Sequence, residues 1–95
     1  MMMTTKYKIV KTSRFRRDLR LAIRKKFNIH LMDEIITTLA NGKKLARKHN
    51  DHPLSGEYAG YRECHITPDW LLIYRIENDT LCLVLSRTGS HSDLF

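Results

Sequence analysis

Hydrophobic positions in the first half of the chain repeat at the spacing of an α-helix. Apolar residues recur every three or four positions between residues 15 and 23, and again between residues 31 and 39. Thr12 or Ser13 can cap the first of these helices, and Gly42 suits the left-handed residue that ends the second. The two apolar stripes therefore predict a helical hairpin that packs against a sheet.

Segments with strand character surround this hairpin. Four runs have the alternation or β-branched content of strands: residues 7–11, 57–66, 70–77 and 80–87. Ser90, with Asp93 three residues later, can form a capping box that starts a last helical turn. The order predicts an α+β fold in one domain of residues 1–95. It consists of a short N-terminal strand, a two-helix hairpin, an antiparallel sheet of about four strands, and a short C-terminal tail or helical turn.

Composition narrows the class of protein without identifying it. A hydrophobic content of 42% with 28% charged residues is ordinary for a folded domain. Two cysteines, Cys64 and Cys82, form no disulfide framework, which predicts a reduced, cytoplasmic protein. The opening residues 1–5 are too short and weakly apolar for a secretory leader, and no window is apolar enough for a membrane span.

Charge is distributed unevenly along the chain. Residues 1–48 hold fourteen Lys and Arg against three acids, whereas residues 49–95 hold three Arg against seven acids. A basic first half predicts binding to a polyanion such as RNA or DNA, or to an acidic protein; the alternative is a solvated helix face. The residues of this basic surface are Arg16, Arg17, Arg20, Arg24, Lys43, Lys44, Arg47 and Lys48.

The second half carries the candidate chemistry. His52, His65 and His91, with Asp69 and Arg87, fall at the ends of predicted strands, where strands that reach the same edge can bring them together. RNA cleavage needs a base for the 2′-hydroxyl proton, an acid for the leaving 5′-oxygen, and donors for the charge on phosphorus. Histidine, which titrates near neutral pH, suits both proton transfers.

Two aromatic residues accompany this set. Trp70 and Phe95 offer flat surfaces for unstacked bases, although Trp70 could equally be core packing at its strand end. His49 and His52 could suggest a metal pair, but no third ligand follows at metal-site spacing, so no metal or other cofactor is expected. His30, at the start of the second helix, is interpreted as structural.

Motifs of the second half resemble the YafQ branch of the RelE/ParE superfamily, the toxins of bacterial type II toxin–antitoxin modules. The matching runs are His-Pro-Leu-x-Gly, Gly-Tyr-Arg-Glu-Cys-His-Ile-x-Pro-Asp-Trp, Leu-Ile-Tyr-Arg and Arg-Thr-Gly-Ser-His-x-x-Leu-Phe, all within residues 52–95. The first half is similar to the family only in its pattern of strand, helices and basic surface. The resemblance implies a RelE-like fold.

The resemblance also implies a function and a set of site residues. It implies a ribosome-dependent endoribonuclease that cuts mRNA in the decoding site without a metal. A cognate antitoxin would neutralise this enzyme, and the toxin would be present as a monomer within their complex. Its partners would be that antitoxin, ribosomal RNA and mRNA, with no membrane. Matched by position, the catalytic set is His52, His65, Asp69 and His91, and the substrate-binding set is Arg87, Trp70 and Phe95.

Within this resemblance, individual roles are less determined than membership of the site. His91 is assigned as general acid, His52 or Asp69 as general base, and His65 as the residue that orients groups or stabilises charge. Two alternatives belong to other classes: a ParE-like toxin that inhibits DNA gyrase by binding, and a DNA-binding helical hairpin. Both leave the histidines without a role.

Overall fold

A five-stranded sheet with two helices on one side organises the chain. The computed structural model describes residues 5–95; residues 1–4, most of the segment considered as a leader, lie outside that range. No helix in the described part is long and apolar enough to cross a membrane. The elements are β1 (Lys8–Lys11), α1 (Ser13–Arg24), α2 (Ile29–Ala40), β2 (His52–Pro53), β3 (Arg62–Thr67), β4 (Trp70–Glu77), β5 (Cys82–Gly89) and α3 (His91–Leu94).

Both long helices begin at side-chain caps. The Thr12 hydroxyl accepts a hydrogen bond from the Phe15 amide at 3.1 Å, and the Asn28 side chain accepts one from the His30 amide at 3.1 Å. Gly42 follows α2 with a positive φ of 74°. The predicted hairpin, with its cap at Thr12 and its stop at Gly42, is confirmed.

The sheet differs from the prediction in two respects. Its strand order is β1-β5-β4-β3-β2, and β1 pairs parallel to β5 while the other pairs are antiparallel. The sheet therefore has five strands rather than about four. The additional strand, β2, was not predicted because its two residues are too short to produce an alternating pattern. The predicted strand at 57–66 is shortened to β3, because Gly56–Tyr58 forms a 3-10 turn and Gly60 adopts a φ of 91°, which extended chain excludes.

The pleat of the sheet separates two apolar clusters. The helices cover one face, where the core includes Phe15, Met32, Cys64, Trp70, Leu72, Tyr74 and Leu85. The opposite face, here called the site face, carries a smaller cluster of Leu71, Ile73 and Leu94, flanked by Leu54, Tyr58 and Tyr61. Because successive side chains alternate between faces, Glu63 and His65 project to the site face when Cys64 projects to the core.

Candidate functional site

Strand register brings three polar side chains together on the site face. His52 of β2 lies directly opposite Glu63 of β3, and His65 follows two positions along β3 on the same face. His65 in turn lies opposite Leu71 of β4, and Leu71 lies opposite Gly89 of β5. Two strand spacings, roughly 9–10 Å, thus separate the backbone of His65 from the end of β5, where α3 begins.

The His52 ring is held on both sides. Its Nδ1 atom lies 2.6 Å from the Asn50 carbonyl oxygen, and its Nε2 atom lies 3.3 Å from Oε2 of Glu63. The side chain of His52 is 37% exposed, whereas that of Glu63 is only 7% exposed. The ring therefore reaches solvent while a buried carboxylate supports it from beneath.

His65 and Asp69 lie at the end of β3 that leads into β4. The Nδ1 atom of His65 is 3.4 Å from the Pro68 carbonyl oxygen, and Asp69 is exposed in the turn between the strands. His49 places its Nδ1 atom 2.7 Å from the His65 carbonyl oxygen, which fastens the 3-10 turn at Arg47–His49 to β3. His49 thus contacts backbone, and both nitrogens of His52 face oxygens.

The last helical turn presents His91 and Phe95 beside this face. Ser90 and Asp93 form the predicted capping box, and the Ser90 amide and hydroxyl lower the pKa of Asp93 by hydrogen bonding to its carboxylate. A Cβ atom at Gly89 would lie 3.1 Å from Cβ of Asp93, so a side chain there would press on Asp93 where α3 folds back onto β5. His91 and Phe95 are both exposed, with ring centroids 5.5 Å apart.

Phe95 belongs to a row of aromatic rings. It is 60% exposed and contacts Tyr58 edge-to-face at 6.0 Å, and Tyr58 contacts Tyr61 in the same way at 5.9 Å. The Arg75 guanidinium lies 5.2 Å from the centre of the Tyr61 ring and donates to its hydroxyl. Exposed rings beside histidines can hold unstacked bases, and the substrate-binding role of Phe95 stays a prediction.

Arg87 is bound within the protein. Its Nε and Nη2 atoms donate to the two carboxylate oxygens of Asp18 at 2.7 and 3.2 Å. These hydrogen bonds are the main reason that the pKa of the Arg87 guanidinium is raised. The same carboxylate accepts the Thr88 amide at 3.1 Å. Because β1 pairs only as far as Leu85, Asp18 occupies the edge of β5 that β1 leaves open.

The burial of Trp70 contradicts its predicted contact with substrate. The residue is 3% exposed, its ring packs against Phe27 at 4.9 Å, and its indole N–H donates to the Thr88 hydroxyl at 2.9 Å. Trp70 lies on the core side of β4, because Leu71 takes the site face. The core interpretation is correct, and this ring offers no face for a base.

Two further residues of the site face did not figure in the sequence analysis. Glu63 is 5% exposed and adjoins His52, and Tyr58 contacts Phe95. A charged residue between a tyrosine–arginine pair and a buried cysteine gives no signal of burial by itself. The alternation of the predicted strand at 57–66 already places Glu63 on the same face as His65, and only the burial of Glu63 was without a signal.

The basic residues flank the site on two sides. All eight predicted surface residues are exposed, and none forms an ion pair with another described residue. Lys44 and Lys48 line a cleft of about 530 Å³ between α2 and the end of β3, and His65 forms part of its wall. On the other side, α1 adjoins α3 through the ion pair of Lys25 with Asp93.

Within residues 5–95, no three His, Cys, Asp or Glu side chains are placed to hold a metal together.

Known proteins are similar to this chain in sequence. A family model described as "Bacterial toxin of type II toxin-antitoxin system, YafQ" matches residues 7–95. The mRNA interferase toxin YafQ of Escherichia coli K12 is 34% identical over 85 residues, which cover 88% of this chain and 90% of the relative.

Solved structures are similar over almost the whole chain. The crystal structure of the E. coli DinJ-YafQ toxin–antitoxin complex matches with a TM-score of 0.86 and 33% identity, covering 95% of this chain and 98% of the other. The metal-bound toxin from Helicobacter pylori matches with a TM-score of 0.88 and 39% identity, covering 94% and 99%. The α+β fold is therefore that of solved YafQ structures.

Proposed function

Because the chain belongs to the YafQ family of bacterial toxins of type II toxin–antitoxin systems, we propose that it is an mRNA interferase. It is a cytoplasmic endoribonuclease of the RelE/ParE superfamily, active as one domain that cuts mRNA in the ribosomal decoding site. A cognate antitoxin neutralises it, as the DinJ-YafQ complex of E. coli suggests. The observation that carries the proposal is the gathering of His52, His65 and His91 on or beside one sheet face that the two long helices leave uncovered.

The geometry supports a division of acid–base work across this face. His91 stands exposed at the start of α3 and is assigned to protonate the leaving 5′-oxygen. Asp69 and His52 lie on the other side, at β3 and its partner, and are the candidates for the base that takes the 2′-hydroxyl proton. His65, between them, orients groups or stabilises charge. The backbone of His65 lies two strand spacings, roughly 9–10 Å, from the end of β5, which leaves room for a phosphodiester between His91 and the β3 side of the site.

Substrate binding is divided between Phe95 and Arg87. Phe95 stacks on a splayed base, because it is exposed and braced by Tyr58. Arg87 contributes positive charge toward the phosphate while Asp18 holds two of its nitrogens. The reaction is proposed to need no metal, since imidazole and carboxylate groups supply both proton transfers.

Cleavage of a ribosome-bound message tests the proposal. Purified ribosomes carrying a defined mRNA, with primer extension, should show a cut that leaves a 5′-hydroxyl on the downstream fragment, with or without EDTA. His91→Ala should lower the single-turnover rate by roughly 10²–10⁴-fold, whereas His30→Ala, on the helix side of the sheet, should change it little. The relative described as metal-bound makes the chelator arm necessary.

Several outcomes would contradict this proposal. Loss of cleavage in EDTA that a divalent cation restores, with the ribosomes intact, would refute metal independence. An equal effect of the His91 and His30 substitutions at unchanged stability would refute the site. Inhibition of gyrase supercoiling without RNA cleavage would favour the ParE-like alternative.

Recruitment is assigned to the two exposed basic surfaces. Reversing the α1 arginines at 16, 17, 20 and 24 to Glu should weaken ribosome binding and flatten its salt dependence, because fewer phosphate contacts release fewer counterions. Co-sedimentation across a salt series, in the His91→Ala background, measures both quantities. An acidic antitoxin segment would compete for the same charges. Unchanged affinity and slope would leave these arginines as a solvated helix face.

A further inference from the structure

Glu63 occupies an unusual environment for a carboxylate. Glu63 is 5% exposed, and its Oε1 atom is buried without a hydrogen-bond partner among the described residues. Its Oε2 atom has one neighbour of opposite character, Nε2 of His52 at 3.3 Å. Burying an ionised carboxylate is costly unless a charged or hydrogen-bonded partner compensates it. The His52 ring is therefore the group that makes the burial of Glu63 possible.

The other side of the same ring determines where its hydrogens lie. Nδ1 of His52 is 2.6 Å from the Asn50 carbonyl oxygen, which can only accept, so Nδ1 carries a hydrogen. Nε2 faces the Glu63 carboxylate, and a bare nitrogen there would place two lone pairs against each other. One proton consequently lies between Nε2 and Oε2, and with this proton on the ring His52 is a donor at both nitrogens.

No other described carboxylate competes for this ring. Asp51 precedes His52, but its Oδ1 atom accepts from the Tyr74 hydroxyl at 2.6 Å and from Nε of Arg62 at 3.2 Å. These contacts hold the chain before β2 in place without using His52. Asp51 thus supports the loop before β2, and Glu63 is the acid that contacts the His52 ring.

We propose that Glu63 is a positioning residue that keeps His52 protonated, so that His52 acts as a hydrogen-bond donor to the phosphate and Asp69 acts as the base. The inference rests on the proposed function and decides between its two candidate bases. Asp69 takes the 2′-hydroxyl proton, the 2′-oxygen bonds to phosphorus, and the bond to the 5′-oxygen breaks as His91 protonates that oxygen. The 3.3 Å contact is long for a charge-assisted bond, so the Nε2 hydrogen, which is fixed in the ring plane, can be shared between Oε2 and a non-bridging phosphate oxygen.

Glu63→Gln distinguishes this role from that of a base. The carboxamide keeps the size of the side chain and donates to Nε2, which leaves His52 neutral with its hydrogen on Nδ1. Single-turnover cleavage of ribosome-bound mRNA near neutral pH should then fall by about 10- to 100-fold, the effect of losing a hydrogen bond to a charged group. If His52 were the base, a neutral ring would keep or increase the rate. Glu57→Gln, an exposed residue of the same type, is the matched control.

A second measurement does not depend on cleavage. Side-chain ¹⁵N NMR of the His91→Ala protein without RNA should show both His52 nitrogens protonated near neutral pH, and only Nδ1 protonated after Glu63→Gln. Thermal unfolding and antitoxin binding should match the parent protein, which excludes misfolding.

The outcomes separate this inference from the proposed function. Wild-type rates in Glu63→Gln, or a bare Nε2 in the parent protein, would overturn the role of Glu63 while the nuclease assignment stands. Absence of cleavage by the wild-type protein would refute the proposed function, and the NMR result would still report on the pair.

Discussion

Asp18 is the residue whose removal should most clearly weaken the fold beside the site. Its carboxylate receives three hydrogen bonds, from Nε and Nη2 of Arg87 and from the Thr88 amide. The side chains of Asp18 and Arg87 are 15% and 17% exposed, so water can replace the lost partner only in part. Asp18→Ala therefore leaves a largely buried guanidinium and a backbone amide without their acceptor.

The expected loss follows from this burial. Removing one partner of a fully buried ion pair costs about 3–5 kcal/mol, and the remaining exposure of both groups reduces that value. We expect the free energy of unfolding to fall by about 2–4 kcal/mol for Asp18→Ala, which includes the orphaned Thr88 amide. For a domain of this size the melting temperature should fall by roughly 10–25 °C.

Urea unfolding followed by Trp70 fluorescence measures this loss, with His91→Ala in every protein so that the toxin can be produced. The matched control is Asp33→Ala, an exposed aspartate of α2 that should change the free energy of unfolding by less than about 0.5 kcal/mol. A double-mutant cycle with Arg87→Ala isolates the pair, and its coupling energy should be about 1 kcal/mol or more. An effect of Asp18→Ala equal to the control, or a coupling energy near zero, would refute the reasoning.

Two further predictions concern a buried thiol and the carboxylate that caps α3. Burial raises the pKa of the Cys64 thiol, so a thiol reagent should modify only the partly exposed Cys82 in the native protein and both residues in denaturant; rapid native reaction of two thiols would contradict this burial. The pKa of Asp93 is lowered in the folded protein, so its carboxylate stabilises α3 fully at pH values above the pKa of the unfolded chain, near 3.8. This stabilisation is lost as the pH falls through the lower pKa of the folded state. Amide exchange of Phe95 should accelerate in that acidic window and should already be fast at neutral pH in Ser90→Ala; equal protection in both proteins would contradict the capping role.

Local sequence was enough to predict the helices and the last turn. The apolar period between residues 15 and 23 and the hydroxyl of Thr12 act within a few residues of each other, and so do Ser90 and Asp93. The motifs of the second half were enough to indicate the YafQ branch, which the family model supports. These features depend on neighbours along the chain, which a sequence displays directly.

Pairing between distant segments could not be read in the same way. The two residues of β2 form a strand only because β3 lies beside them, and β1 pairs parallel to β5 although more than seventy residues separate them. A strand so short has no alternation of its own. The number of strands in the sheet therefore exceeded the prediction.

The sequence by itself determined which residue types are present for the chemistry, and the order of the elements that carry them. Only the tertiary structure decided on which face each side chain lies. The pleat sends Trp70 into the core, where it cannot meet a base, and turns Glu63 toward His52 instead. The physical reason is that facing depends on strand register, and register is set by long-range pairing and burial rather than by the identity of any one residue.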